Sequence, residues 1–179
     1  NNIGLKIGSE FRISGETSFL KSFPAVTSQP NGGFIVVWQS FKQDGDRGGI
    51  YGRRYSANGQ PITSEFLVNT DTREAQIVPS IATLNDGGFV VVWITRKVGI
   101  FVQLYDGKGE KVGREFSIDT SLKFRGFNSV AISNWLDVSS FSNGDFLISY
   151  SGSDGLSHGI YAERYNSLGQ VKVKEFQVS

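Results

Sequence analysis

The sequence predicts an all-β fold built from repeats, and three observations carry that prediction. The apolar residues are mostly β-branched or aromatic: 16 Val, 14 Ile and 14 Phe stand against 10 Leu and 6 Ala. Such side chains are stiff at χ1 and suit a pleated surface better than a helix. The segment Pro24-Ala-Val-Thr-Ser-Gln-Pro-Asn-Gly-Gly-Phe-Ile-Val-Val-Trp38 returns, 55 residues later and without a gap, as Pro79-Ser-Ile-Ala-Thr-Leu-Asn-Asp-Gly-Gly-Phe-Val-Val-Val-Trp93. A weaker third copy runs from Leu136 to Tyr150. Seven of the 22 glycines directly follow Asn or Asp, in pairs placed between apolar runs, where a hairpin needs positive φ.

Each repeat reads as four short strands. The first is an alternating Glu-Phe strand, found at Phe11, Phe66, Phe116 and Phe176. The second is the Ser80 to Leu84 type, and the third is the Phe89 to Trp93 type. That third strand is apolar at every position, which predicts a place at the centre of a sheet covered on both faces. The fourth appears as Gly49-Ile-Tyr-Gly-Arg-Arg-Tyr55, Gly99-Ile-Phe-Val-Gln-Leu-Tyr105 and Gly159-Ile-Tyr-Ala-Glu-Arg-Tyr165, and it alternates as an edge should. Residues 1–179 therefore form a single repeat domain, with units of about 9–63, 64–113 and 114–173 and an extra strand at 174–179. Units of roughly 55 residues with four antiparallel strands and a sandwiched third strand describe β-propeller-like blades. A β-trefoil is the alternative, since it also uses three four-stranded units. Three blades do not close a ring, so neighbouring blades or self-association are expected to complete one.

Composition narrows the function. Lys and Arg number 18 against 17 Asp and Glu, so the net charge of +1 gives no field that would gather nucleic acid. The longest strongly apolar run, Phe89 to Ile94, is far too short for a membrane helix, and no membrane insertion is expected. The chain has no Cys and one histidine, His158, which removes thiolate and two-histidine metal sites together with a cysteine nucleophile. No cofactor is expected.

With these residues in view, the unit Pro-Ser-Ile-Ala-Thr-Leu-Asn-Asp-Gly-Gly-Phe-Val-Val-Val-Trp, followed by Gly49-Ile-Tyr-Gly-Arg-Arg-Tyr55 and Glu65-Phe66-Leu-Val-Asn-Thr70, resembles the tandem blade-like repeats of large secreted or surface proteins, mainly bacterial and of adhesion type. The resemblance is strongest from Pro24 to Thr120 and weakest from Ser121 to Trp135, where about seven extra residues interrupt the third copy. It implies a secreted or cell-surface, noncatalytic, lectin-like adhesion module whose loops meet a glycan or an extracellular protein. It transfers no residue-level site. A structural spacer or self-assembling subunit is the alternative, and a glycosidase-type propeller enzyme ranks below both.

Candidate ligand-binding residues lie in the loops. Asp44 and Asp46 could offer hard oxygens to calcium, but the segment lacks the spacing of a calcium loop, and Asp-Gly is a common turn. No metal site is expected. Arg53 belongs to a small cationic group with Arg47 and Arg54, read as a rim contact. Trp135 lies in the interruption of the third copy, where an aromatic side chain on a loop suits a partner contact. Asp154 marks the turn equivalent to Asp44, and His158 stands beside it with no Gly-x-Ser-x-Gly elbow to support a catalytic triad. Trp38, Trp93 and Tyr150 end the doubly apolar strands, a position that favours core packing over sugar stacking. The recurring Glu10, Glu65, Glu115 and Glu175 are expected to serve a structural contact, to Arg54, to Arg164 or to backbone N–H groups.

Overall fold

The computed structural model describes residues 8–15, 18–95, 99–118, 136–153 and 158–178. Three four-stranded antiparallel sheets fill them, and no described residue is helical. The first sheet holds β1 (Lys21–Ser28), β2 (Phe34–Ser40), β3 (Gly49–Tyr55) and β4 (Phe66–Leu67). The second holds β5 (Gln76–Thr83), β6 (Phe89–Thr95), β7 (Gly99–Tyr105) and β8 (Lys111–Ile118). The third holds β9 (Leu136–Ser140), β10 (Phe146–Ser153), β11 (His158–Tyr165) and β12 (Val171–Gln177). Each is a meander whose strands lie in chain order. The named strands pair only within their own sheet and do not close into a barrel, so the blade-like reading stands and the trefoil alternative falls.

The phase of the repeat differs from the sequence expectation. Phe66 pairs with Gly52, Phe116 with Val102 and Phe176 with Ala162, so each Glu-Phe strand closes the sheet before it instead of opening the next. The units expected at 9–63, 64–113 and 114–173 thus become sheets spanning 21–67, 76–118 and 136–177. Residues 174–179 are not an extra strand, because Lys174 to Gln177 belong to β12. The leftover copy is the first one, since residues 9–14 join no strand. The cause is local. Tight turns, in which Gly59 N–H donates to Ser56 O, Gly109 to Asp106 O and Gly169 to Asn166 O, fold each Glu-Phe segment back onto the strand just made. Closing so short a loop costs little entropy.

The sheets stack face to face. Ile35, Val37, Ile50 and Val68 of the first cover Ile81, Phe89, Val91, Trp93 and Tyr105 of the second. The other face of the second sheet, with Val90, Val92, Ile94, Ile100 and Val102, covers Phe146, Ile148, Tyr150 and Tyr161 of the third. All seven residues of β6 are buried, as the doubly apolar pattern requires. Each fully buried Val of this strand contributes about 1.5–3 kcal/mol as an upper estimate.

Aromatic contacts recur with the repeat. The Phe that opens each central strand stacks on its cross-strand Tyr: Phe34 on Tyr55 at 5.0 Å, Phe89 on Tyr105 at 4.4 Å and Phe146 on Tyr165 at 5.3 Å. A third ring then tilts onto that Tyr from the preceding Glu-Phe segment, with Phe11, Phe66 and Phe116 at 6.0, 5.8 and 5.9 Å. A Glu-Phe strand therefore joins two units, by backbone pairing to the sheet it ends and by its Phe ring to the sheet that follows.

The glutamates supply a second tie, and it uses backbone N–H groups. Glu65 Oε1 accepts from Gly15 N–H at 2.5 Å, while Glu115 accepts from Thr70 N–H at 2.6 Å and from Asp71 N–H at 3.1 Å. The arginines offered as alternative partners go elsewhere: Arg54 donates to Gly107 O at 2.9 Å and to Lys108 O, and Arg164 pairs with Asp145 at 2.7 Å.

Candidate functional site: a cleft against the second sheet

The connection from β4 to β5 forms one wall of a cleft, and its shape is fixed from within. Asn69 is 1% exposed, accepts from Ile50 N–H at 2.8 Å and donates to Asp71 O at 3.0 Å and Gln76 Oε1 at 3.4 Å. Gln76, also 1% exposed, donates to Arg73 O at 2.9 Å. Buried amides satisfied in this way hold a loop in one conformation. Glu115 on β8 grips the same connection through the Thr70 and Asp71 N–H groups.

Three carboxylates and a guanidinium edge the cleft. Asp71 accepts from Arg73 Nε at 2.9 Å, from Arg73 Nη2 at 2.6 Å and from the Arg73 backbone N–H at 2.9 Å. These hydrogen bonds, with the charge of Arg73, pull the Asp71 carboxyl down to about 2. Glu74 has φ of 67°, uncommon for a residue with a side chain. Its N–H donates to Asp46 Oδ2 at 3.1 Å and its carboxylate pairs with Arg47 at 2.9 Å, so the loop between β2 and β3 braces it from outside.

The opposite wall is the Trp end of the second sheet. Trp93 and Phe101 stack at 6.0 Å with 24° between their planes. Trp93 is 1% exposed, so the half-buried ring of Phe101 is the aromatic surface left to a ligand. The cleft encloses about 380 Å³ between these walls. An aromatic ring beside fixed acceptors and one guanidinium suits a neutral polyhydroxylated molecule, which has apolar C–H faces and hydroxyls that both donate and accept.

Of the candidate ligand-binding residues that the structure describes, only Asp46 reaches this cleft, through Glu74; Trp93 and Glu115, expected to pack and to make a structural contact, line it as well. Asp44 lies in the same loop, where its Oδ1 accepts from Asp46 N–H at 3.3 Å and its Oδ2 is buried against Gly49. Burial and then the charges of Asp44 and Glu65 raise the Tyr51 hydroxyl above its ordinary 10.0. Among the described residues no group of three or more acidic or histidine side chains is placed to hold a metal ion. Arg53 is a structural tie: its Nε donates to Thr63 O at 3.0 Å, its Nη1 to Ile13 O at 3.4 Å, and it lies over the Tyr55 ring. Trp135 and Asp154 lie outside the described residues. His158 opens β11 opposite Ser153, and its side chain also lies outside them. Trp38, Trp93 and Tyr150 are 3%, 1% and 2% exposed, in the core positions expected of them.

Sequence reading passed over Asp71, Arg73, Glu74, Gln76 and Phe101, and read Glu115 as a structural contact alone. The signal available was the run Asn69-Thr-Asp-Thr-Arg-Glu74, dense in charge and lying between two apolar runs. A second concavity, about 470 Å³, opens at the far ends of the inner strands and is lined by hydroxyl groups of Thr27, Ser28, Thr83, Ser139 and Ser140. It carries no charged side chain.

No protein-family model matches the chain, and no curated protein matches it. Among solved structures the chain is similar to a protein of unknown function from Dyadobacter fermentans DSM 18053, with 14% identity and a TM-score of 0.61. The likeness covers 87% of this chain and 54% of the other, so the chain spans about half the length of that protein. At this identity the likeness is one of fold alone.

Proposed function

We propose that the chain is a noncatalytic binding module that takes a neutral glycan in the cleft between the β4–β5 connection and the second sheet. The secreted or surface setting follows the repeat resemblance. The observation that carries the reading is the placement of Phe101 beside Asp71, Arg73, Glu74 and Glu115, each of the four held by its own partners before any ligand arrives. Groups fixed in advance lose little freedom on binding. Hydrolysis would need a carboxyl that stays protonated near neutral pH. Asp71 is held in the opposite state, while Glu74 and Glu115 are committed to Arg47 and to backbone N–H groups.

Titration with neutral oligosaccharides, followed by calorimetry, tests the proposal. Phe101→Ala should weaken binding about tenfold, the equivalent of roughly 1.4 kcal/mol for the lost aromatic face. Arg73→Ala should weaken it as well, without lowering the melting temperature, because the Arg73 side chain is largely exposed. Absence of binding across a panel of neutral and acidic glycans, or equal affinity in wild type and Phe101→Ala, would remove the cleft from consideration.

A further inference from the structure

The first Glu-Phe segment makes half of the double contact that the copies at Phe66 and Phe116 make in full. Phe11 already lies on the Phe34–Tyr55 pair, 6.5 Å from one ring and 6.0 Å from the other. The Ile13 carbonyl accepts from Tyr55 Oη at 2.5 Å and from Arg53 Nη1, and Gly15 N–H donates to Glu65. These are the side-chain ties to the sheet that follows. The backbone half is missing, since no strand among the described residues pairs with residues 9–14.

The backbone pairing of the three later copies defines what the missing half is. In every sheet the Phe stands opposite the fourth residue of a Gly-Ile strand: Gly52 for Phe66, Val102 for Phe116 and Ala162 for Phe176. The residue two places after the Phe then donates to the carbonyl of the strand's Ile, as Val68 N–H does to Ile50 O at 2.7 Å and Val178 N–H to Ile160 O at 2.8 Å. The fourth residue is small or modest in size for a steric reason. A Cβ on Gly52 would lie 2.7 Å from the Phe66 ring.

We propose that residues Glu10 to Ile13 form an open strand edge that binds a strand of the Gly-Ile-(Tyr/Phe)-x-x-x-Tyr type from outside residues 1–179. Pairing is antiparallel, Phe11 faces the fourth residue of the incoming strand, and the Ile13 N–H donates to its Ile carbonyl. A second copy of this chain does not fit the role, because its three Gly-Ile strands, β3, β7 and β11, already carry β4, β8 and β12 on the required edge. Strand addition of this kind draws affinity from main-chain hydrogen bonds and specificity from alternate side chains. The proposal is independent of the glycan reading, whose cleft is lined by none of residues 9–15.

A labelled peptide with the sequence of residues 159–165, Gly-Ile-Tyr-Ala-Glu-Arg-Tyr, is the probe, and the whole chain is the receptor. Saturable binding is expected, with hydrogen exchange at the Ile13 N–H slowed about tenfold or more by bound peptide. Ile13→Pro, which deletes that N–H, should lose binding, as should the peptide carrying Ala162→Trp opposite Phe11. Exchange at Ile13 left unchanged by saturating peptide would overturn the proposal without recourse to any variant. Equal binding by wild type and a folded Ile13→Pro would overturn it too, because the peptide would then occupy another edge. Protection of Ile13 by the chain alone, with a doubled mass, would refute the choice of partner.

Discussion

The second and third sheets share a sequence pattern and differ where they end. On β6 both sets of alternating residues are buried, Phe89, Val91 and Trp93 against the first sheet and Val90, Val92 and Ile94 against the third. On β10 only Phe146, Ile148 and Tyr150 are buried in that way, while Leu147, Ser149 and Ser151 between them are only partly covered. The same contrast appears at the rim. Arg54 reaches from the first sheet to the Gly107–Lys108 turn of the second, whereas its counterpart Arg164 turns back to Asp145 of its own sheet. Asp145 replaces a glycine of the other two copies, and Lys172 joins it at 3.3 Å. The lesson is that an internal repeat spends both faces on its neighbours, while the third sheet, with one face covered and Leu147, Ser149, Ser151 and Ile160 partly exposed on the other, is the cap of the described stack.

That contrast can be broken most severely in the middle. Phe89→Ala empties a fully buried site and removes the stack on Tyr105, and should cost about 3–5 kcal/mol in urea unfolding. Leu147→Ala, on the partly covered face of β10, should cost well under half as much; equal losses would end the distinction between inner and capping sheets.

The next effect is steric. Gly88 lies where a Cβ would come 2.5 Å from the Tyr105 carbonyl oxygen, and Gly33 meets Tyr55 in the same way at 2.4 Å. Gly88→Ala should destabilise by about 1–3 kcal/mol. A melting temperature unchanged by this substitution would show that the second sheet can relax as the third does around Asp145.

Acid sharpens the comparison at the cap. Burial acts to raise the Asp145 carboxyl, but hydrogen bonds from Asn143, Arg164 and Lys172 outweigh it and hold the group below the ordinary 3.8. Its contribution is therefore complete above 3.8 and is lost as pH falls through the lower folded value. Unfolding midpoints measured from neutral pH downward should fall more steeply for the wild type than for Asp145→Asn. Parallel curves would mean that the pair with Arg164 adds nothing to the cap.

The smallest effect concerns the inner strands. Phe23 and Val78 occupy equivalent places, each before a proline at a register shift, with φ of 51° and 52°. Phe23 is 40% exposed, so Phe23→Gly should be neutral or stabilising by up to about 1 kcal/mol as the backbone strain is relieved. Val78→Gly should instead destabilise, because Val78 is buried in the core.

Much of the architecture was legible in the residues themselves. The 55-residue repeat, the Asn-Gly and Asp-Gly turns and the doubly apolar third strand each specify a local structure, and each is found. The phase was not legible, because an alignment of repeats shows which residues correspond and not which neighbour a Glu-Phe strand bonds to. The cleft was harder still. Phe101 reads as an ordinary member of an alternating strand and Glu115 as a repeat glutamate; only the folding of residues 69–76 across them makes a concave site. Asp46 was noticed for its oxygen chemistry, and the structure uses that oxygen to hold the Glu74 N–H.

Methyl-to-methyl distances from β6 test the stacking most directly, since adjacent residues of that strand are assigned to different neighbours. The Val91 methyls should show nuclear Overhauser contacts to Ile35 and Val37 of the first sheet, and the Val92 methyls to Ile148 of the third. Contacts from both valines to one and the same sheet, or none from Val92 to Ile148, would contradict a second sheet covered on both sides.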